Sequence, residues 1–102
     1  MKDELTKERI VELLRSKQSL LRKKFHVQEI GLFGSYARGE ATAMSDIDLL
    51  VTIDAPLEEY RQCKEALHRY LKRTFGREVD LANPRSLKPH YRQNILSQAI
   101  YA

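Results

Sequence analysis

Two aspartates open an apolar run that ends at Ile53, and this run constrains the fold more than any other segment. In a β-strand alternate side chains point to opposite faces, so Asp46 and Asp48 would share one face. The other face would be apolar and would enter the core through Ile47, Leu49, Val51 and Ile53. Because two carboxylates on one face repel each other, and because their oxygens suit a hard cation, we expect a strand over residues 45–53 with a Mg²⁺ site on its acidic face.

A Gly-Ser pair precedes this run and follows an apolar segment, residues 27–33, that itself predicts a strand. Gly34 lets the main chain approach an anion closely, and the Ser35 hydroxyl adds a hydrogen-bond donor. Residues 36–38 can open a helical turn, and the amides at the start of a helix bind phosphate. Gly-Ser and Asp-x-Asp are each common by chance, but a phosphate turn beside a cation site indicates a nucleotide site.

The remaining periodicities place helices around these strands. Apolar residues recur at helical intervals over residues 5–24, which predicts one amphipathic helix. Pro56 suits the first turn of a later helix that would end near Gly76, with an apolar stripe of Leu57, Tyr60, Cys63, Leu67, Tyr70 and Leu71. Helical intervals return after Pro89 and predict a closing helix that reaches Ile100.

A short segment, residues 78–81, is bounded by Gly76 and by Asn83-Pro84 and predicts a third strand. Three strands with helices between them would bring the middle of this strand beside the second strand. Asp80 could then face the same side of the sheet as the two earlier aspartates.

The length and composition fit one domain, residues 1–102, with a modest core, since 42% of the residues are hydrophobic. No stretch approaches the roughly 20 apolar residues that cross a bilayer, and the charged amino terminus differs from a secretory signal, so we expect a cytoplasmic protein without a membrane partner. The three histidines share no common spacing, and we expect no zinc site. Solvated helix faces account for most of the net charge of +4, and we expect no direct binding of nucleic acid.

The segments GSYARGE and SDIDLLV resemble the signature of the DNA polymerase beta-type nucleotidyltransferase superfamily, in which a Gly-Ser turn precedes Asp-x-Asp on the next strand. With the small size of the chain, they are most similar to the minimal nucleotidyltransferases, which lack the extra substrate domain of larger relatives. The resemblance implies an α+β fold, with a small mixed sheet and helices packed mainly on one face. It also implies a third carboxylate on a later strand, and the Val-Asp-Leu context of Asp80 matches that position.

Nucleotidyl transfer joins an acceptor to the α-phosphorus of a nucleoside triphosphate, and two metal ions can stabilise the entering and departing oxygens. The resemblance therefore implies two Mg²⁺ ions bridged by Asp46 and Asp48. Asp80 would either hold the ion on the nucleophile side or accept the proton of the incoming hydroxyl.

The same resemblance implies a phosphate side to the site. Gly34 and Ser35 would hold the β- and γ-phosphates of ATP. Arg38 would steady either the phosphates or an acid such as Glu40. Ser45 is expected to fix the turn into the second strand through its hydroxyl.

The acceptor is implied only by the family likeness. Minimal nucleotidyltransferases resemble antitoxin partners of HEPN-domain ribonucleases, which they inactivate by transferring AMP to a tyrosine. One alternative is a non-catalytic subunit that binds nucleotide or neutralises a partner. A second alternative is a small-molecule transferase of the aminoglycoside-modifying kind that needs a separate substrate-binding subunit.

Overall fold

The computed structural model describes residues 5–102, and its strands form one four-stranded mixed sheet. The strand order is β3-β2-β1-β4, with β1 antiparallel to both β2 and β4, and with β2 parallel to β3. The elements in chain order are α1 (Lys7–Ser16), α2 (Gln18–Phe25), β1 (Val27–Phe33), α3 (Gly34–Ala37), β2 (Ile47–Ile53), α4 (Leu57–Phe75), β3 (Val79–Ala82), a 3-10 turn (Pro84–Ser86), α5 (Pro89–Gln98) and β4 (Ile100–Tyr101). This arrangement confirms the predicted α+β fold.

One face of the sheet carries the hydrophobic core. The alternating apolar residues of β2 are buried as predicted, and each large aliphatic side chain buried in this way contributes about 1.5–3 kcal/mol. Helices α1, α2 and α4 cover this face with Ile10, Leu14, Leu21, Phe25, Leu67 and Leu71. Helix α5 buries no residue of its own, so the long helices that supply the core pack mainly on one face.

The amino-terminal helical region differs from the expectation of one helix over residues 5–24. Its first helix begins at Lys7, after the Thr6 hydroxyl accepts a hydrogen bond from the Arg9 N–H. The helix breaks at Lys17, whose N–H lies within 3.2 Å of both the Leu13 and the Leu14 carbonyl. Buried residues keep helical spacing across the break, so periodicity alone could not reveal it.

Strand β2 begins at Ile47, two residues later than predicted, and Asp46 therefore precedes the strand. The cause is a turn that is closed by Ser45, whose Oγ accepts a hydrogen bond from the Thr42 N–H at 2.8 Å. The expected role of Ser45 in this turn is confirmed. The hydrogen bonds between β2 and the β3 segment begin at Ile47, whose N–H donates to the Glu78 carbonyl at 2.9 Å.

The closing helix, α5, is shorter at its carboxyl end than predicted. It stops at Gln98, and Ile100 and Tyr101 form an edge strand beside β1. The Tyr101 ring lies against Gly31, where an added Cβ atom would come within 2.9 Å of the ring. Glycine thus makes room for the strand, a long-range relation that the helical spacing of the tail concealed.

Helix α4 agrees closely with its prediction. It ends at Gly76 in a left-handed conformation with φ of +65°, which favours glycine. Cys63 packs against the core as part of the predicted stripe, but Leu57 in the first turn is 89% exposed and does not belong to it. None of the helices in residues 5–102 combines the length and the hydropathy that a membrane crossing needs.

Candidate functional site

The Gly-Ser turn lies where β1 ends and α3 begins. Gly34 has a φ of +76°, a conformation that residues with a Cβ atom rarely adopt. A Cβ atom added there would also overlap the Asp48 carboxylate, since it would lie only 2.9 Å from Asp48 Cγ. Both constraints call for glycine, and the two halves of the motif are in direct contact.

The short helix α3 exposes donors beside this contact. It is a single turn, in which the Arg38 N–H donates to the Gly34 carbonyl at 3.1 Å. Amides in the first turn of a helix have no partner within it. The Ser35 hydroxyl forms no hydrogen bond with any other group in residues 5–102. The hydroxyl and these amides are therefore available to an anion.

Two of the three predicted acids are neighbours across the parallel strands β2 and β3. Asp48 and Asp80 are register partners, so their side chains share the face opposite the core. Asp48 is half-buried, while Asp80 is exposed. Burial, and then the negative charges of Asp80 and Asp46, raise the pKa of Asp48 from its usual 3.8 to about 6, against the opposing effect of the Arg38 cation. The carboxylates thus form a negatively charged site that the Arg38 cation offsets only in part.

Asp46 was expected on the strand face next to Asp48, but it lies in the connection that leads into β2. Its side chain is exposed, and its charge still contributes to the raised pKa of Asp48. The structure therefore brings Gly34, Asp48 and Asp80 together and places Asp46 near them on a less regular segment.

Arg38 follows α3 and contacts an acid, one of the two roles expected for it. Its Nε donates to Glu40 Oε1 at 2.9 Å, and its Nη1 lies 3.5 Å from Gln98 Oε1 on α5. Both members of the ion pair are exposed, so the pair contributes little to stability. The Arg38 guanidinium is close enough to Asp48 to lower the pKa of that carboxyl.

The donor set fits a hard divalent cation that is shared with a substrate. No group of three or more His, Cys, Asp or Glu side chains within residues 5–102 is close enough to form a metal cage by itself. Mg²⁺ is commonly held by one or two carboxylates together with substrate phosphates, and it does not need a complete cage of protein ligands. The half-buried Asp48 beside Asp80 supplies such carboxylates, and a cation would offset the burial and the carboxylate repulsion that raise the pKa of Asp48.

Two side chains near β3 were not expected from the sequence to contribute to the site. His68 Nε2 lies 2.7 Å from the Val79 carbonyl, which ties the edge strand to α4. Arg77 Nη1 donates to the Ala43 carbonyl at 3.0 Å, in the connection before Asp46. Both contacts join segments that are distant in sequence, and neither residue belongs to a periodic pattern that could have revealed them.

The sequence comparisons agree with this geometry. The family model for the nucleotidyltransferase domain matches residues 8–102. A Methanocaldococcus jannaschii protein named as a candidate protein adenylyltransferase is 40% identical over 95 residues, which cover 90% of this chain and 93% of that protein. The protein adenylyltransferase MntA of Thermococcus cleftensis is 38% identical over 99 residues, which cover 95% of this chain and 96% of that protein.

Solved structures give the same result. A structure described as a candidate minimal nucleotidyltransferase matches with a TM-score of 0.77 at 29% identity, covering 97% of this chain and 98% of that one. A toxin-antitoxin structure with AMP-PNP matches with a TM-score of 0.63 at 29% identity, covering 95% and 72%. A tri-AMPylated HEPN toxin of Shewanella oneidensis in complex with an MNT antitoxin matches with a TM-score of 0.58 at 26% identity, covering 88% and 69%. The chain therefore belongs to the nucleotidyltransferase domain family and, within it, to the minimal nucleotidyltransferases.

Proposed function

We propose that this chain is a cytoplasmic protein adenylyltransferase that transfers AMP from ATP to a tyrosine hydroxyl of a HEPN-domain partner, and so acts as the antitoxin of that partner. The observation that carries the proposal is the contact of the Gly34 turn with Asp48, which is itself the register partner of Asp80. This juxtaposition supports the proposal, because N–H donors for a phosphate and carboxylates for a cation would then act on the same reacting group.

The relatives support the choice of acceptor. One structural neighbour holds AMP-PNP in a toxin-antitoxin complex, and another is a complex in which the HEPN toxin carries AMP groups. Curated relatives of nearly the same length as this chain are named protein adenylyltransferases.

In the proposed reaction the tyrosine oxygen attacks the α-phosphorus of ATP. A new O–P bond forms, the bond from the α-phosphorus to the bridging oxygen of the β-phosphate breaks, and pyrophosphate leaves. Ser35 and the first amides of α3 would bind the β- and γ-phosphates and hold the leaving group in place. This binding orients the α-phosphorus toward the strand that bears Asp48, which places the reacting atoms near one another.

Asp46, Asp48 and Asp80 would hold two Mg²⁺ ions, which when bound supply positive charge to the entering and leaving oxygens. Asp48 is ionised above about pH 6, the value to which its pKa is raised, so it can serve as a ligand at neutral pH. Asp80 is exposed on the edge strand β3 and can accept the proton of the incoming hydroxyl. Arg38 can leave its exposed pairing with Glu40 and contact a phosphate oxygen.

The test is to incubate the purified chain with ATP, Mg²⁺ and the product of the neighbouring gene, and then to measure the intact mass of each protein and map the modified peptide. We expect the partner to gain one or more AMP groups on tyrosine, and Asp48→Asn to abolish this gain. Asp54→Asn is the matched control, because Asp54 is exposed just beyond the opposite end of β2. Tight complex formation without any mass gain would favour the binding-only alternative, and AMP on a metabolite would favour the small-molecule alternative.

A further inference from the structure

The connection between α3 and β2 delivers Asp46 to the site, but its own hydrogen bonds are local. Ser45 Oγ accepts from the Thr42 N–H at 2.8 Å, and the Ser45 N–H donates to the Thr42 carbonyl at 3.1 Å. These bonds shape the turn. They do not fix where the turn lies relative to β3, the strand that carries Asp80.

Arg77 supplies that link. It lies between α4 and β3, and its side chain is half-buried although it is charged. Its Nη1 donates to the Ala43 carbonyl at 3.0 Å, and its Cζ lies 5.9 Å from the centroid of the Tyr36 ring. Tyr36 is only 4% exposed and belongs to α3, so one side chain contacts the Gly-Ser helix and the Asp46 connection from the entry to β3.

The main chain beside Arg77 strengthens this arrangement. The carbonyl of the next residue, Glu78, accepts a hydrogen bond from the Ile47 N–H at 2.9 Å. This hydrogen bond joins the two segments, and Asp46 and Arg77 are the residues that directly precede its donor and its acceptor. Within residues 5–102, the Arg77 guanidinium has no carboxylate partner at ion-pairing distance, so its contacts are those with the ring and the carbonyl.

We propose that Arg77 is a positioning residue that holds the Asp46 end of the connection against β3 and α3, and thereby sets the distance between Asp46 and the pair Asp48 and Asp80. This inference rests on the proposed function for its kinetic consequences. The role favours an arginine, because a guanidinium can hold its delocalised charge over a ring while one of its N–H groups donates sideways to a carbonyl. Lysine keeps the charge but cannot make both contacts with this geometry.

The experiment compares Arg77→Lys and Arg77→Met with Arg73→Met, all in the full chain. Arg73 is exposed near the end of α4 and its side chain forms no hydrogen bond or ion pair with residues 5–102, so it controls for the loss of one cation. We expect both Arg77 variants to lower the transfer rate by about 10- to 100-fold, the range that a small misplacement of a reacting group costs. We also expect the Mg²⁺ concentration for half-maximal rate to rise, which a loss of stability alone would not cause. Tm is measured for every variant, and rates are compared below the lowest Tm.

Amide hydrogen exchange gives a readout that does not need activity. The Thr42 and Ser45 amides are bonded within the turn, and they should exchange faster in Arg77→Met than in Arg73→Met while the β1 amides stay unchanged. If the unsubstituted chain transfers no AMP, the proposed function fails. The Arg77 inference is then decided by this exchange and by the affinity for Mn²⁺, which should be weaker in Arg77→Met than in Arg73→Met. Equal exchange and equal metal dependence in the Arg77 and Arg73 variants would overturn it.

Discussion

Replacement of Asp48 by asparagine should stabilise the metal-free protein while it removes function. Asp48 is half-buried between Gly34 and Asp80, and its pKa is raised to about 6, first by burial and then by the charges of Asp80 and Asp46. A carboxyl group whose pKa is higher in the folded state binds its proton more tightly there. This tighter proton binding stabilises the folded protein. The contribution is complete below pH 3.8, the pKa of Asp48 in the unfolded chain, and it is lost as the pH rises through about 6, the pKa in the folded protein.

The size of the effect follows from the shift. A change from 3.8 to about 6 corresponds to about 3 kcal/mol at 1.36 kcal/mol per unit. Because Asp48 is partly exposed, solvent screening reduces this value, and we expect about 1–2 kcal/mol. Asparagine has nearly the same shape and no charge, so the variant should not lose this stability at high pH.

Urea unfolding in EDTA at pH 4 and pH 8 measures the difference. The unfolding free energies of Asp48→Asn and the unsubstituted chain should be similar at pH 4, and the variant should be more stable by about 1–2 kcal/mol at pH 8. Asp54→Asn controls for the removal of one negative charge from an exposed position at the far end of β2. Addition of Mg²⁺ and ATP should then stabilise the unsubstituted chain and not the Asp48 variant. A variant that is no more stable than its parent at pH 8 would refute the electrostatic description of the site.

Gly34→Ala should cost at least about 1–2 kcal/mol of stability because of its positive φ, and it should abolish ATP binding measured by calorimetry. The stability loss should be smaller when Asp48→Ala is also present, because the carboxylate that the new methyl group would overlap is then gone. An equal loss in both backgrounds would contradict the contact between Gly34 and Asp48. Ser45→Ala removes the hydrogen bond from the Thr42 N–H and should lower the free energy of unfolding in urea by about 0.5–1.5 kcal/mol. An unchanged free energy of unfolding would show that the turn does not depend on this hydrogen bond. Leu71→Ala should lower the free energy of unfolding by about 2–5 kcal/mol, because this core side chain is only 1% exposed. The transfer rate per folded molecule should be unchanged, and a slower rate would mean that α4 shapes the site.

Local patterns predicted the elements whose side chains alternate or recur regularly. The apolar run of residues 27–33 became β1 with the predicted bounds, and Ile47, Leu49, Val51 and Ile53 entered the core as their alternation required. These features depend on a few neighbouring residues, so the sequence contains them directly.

Features that leave no mark on the spacing of apolar residues could not be predicted in this way. The break at Lys17 preserves the spacing of buried residues, and β4 depends on the empty space above Gly31. Asp46 was assigned to a strand face, but the turn closed by Ser45 delays the strand by two residues. Arg77 lies outside every periodic pattern, and its hydrogen bond to the Ala43 carbonyl reaches 34 residues back along the chain. The decisive partner is remote in sequence for β4 and Arg77, whereas the Lys17 break and the Ser45 turn are local contacts that leave the apolar spacing unchanged.

The most direct test of the account uses ATP labelled at the α- or at the γ-phosphate, incubated with the chain, Mg²⁺ and a HEPN-domain partner. Attack on the α-phosphorus predicts that only the α label joins the partner, that the γ label leaves as pyrophosphate, and that Asp48→Asn and Asp80→Asn both abolish transfer. Incorporation of the γ label, or α-label transfer that persists in both variants, would contradict the assignment of this site as the centre of nucleotidyl transfer.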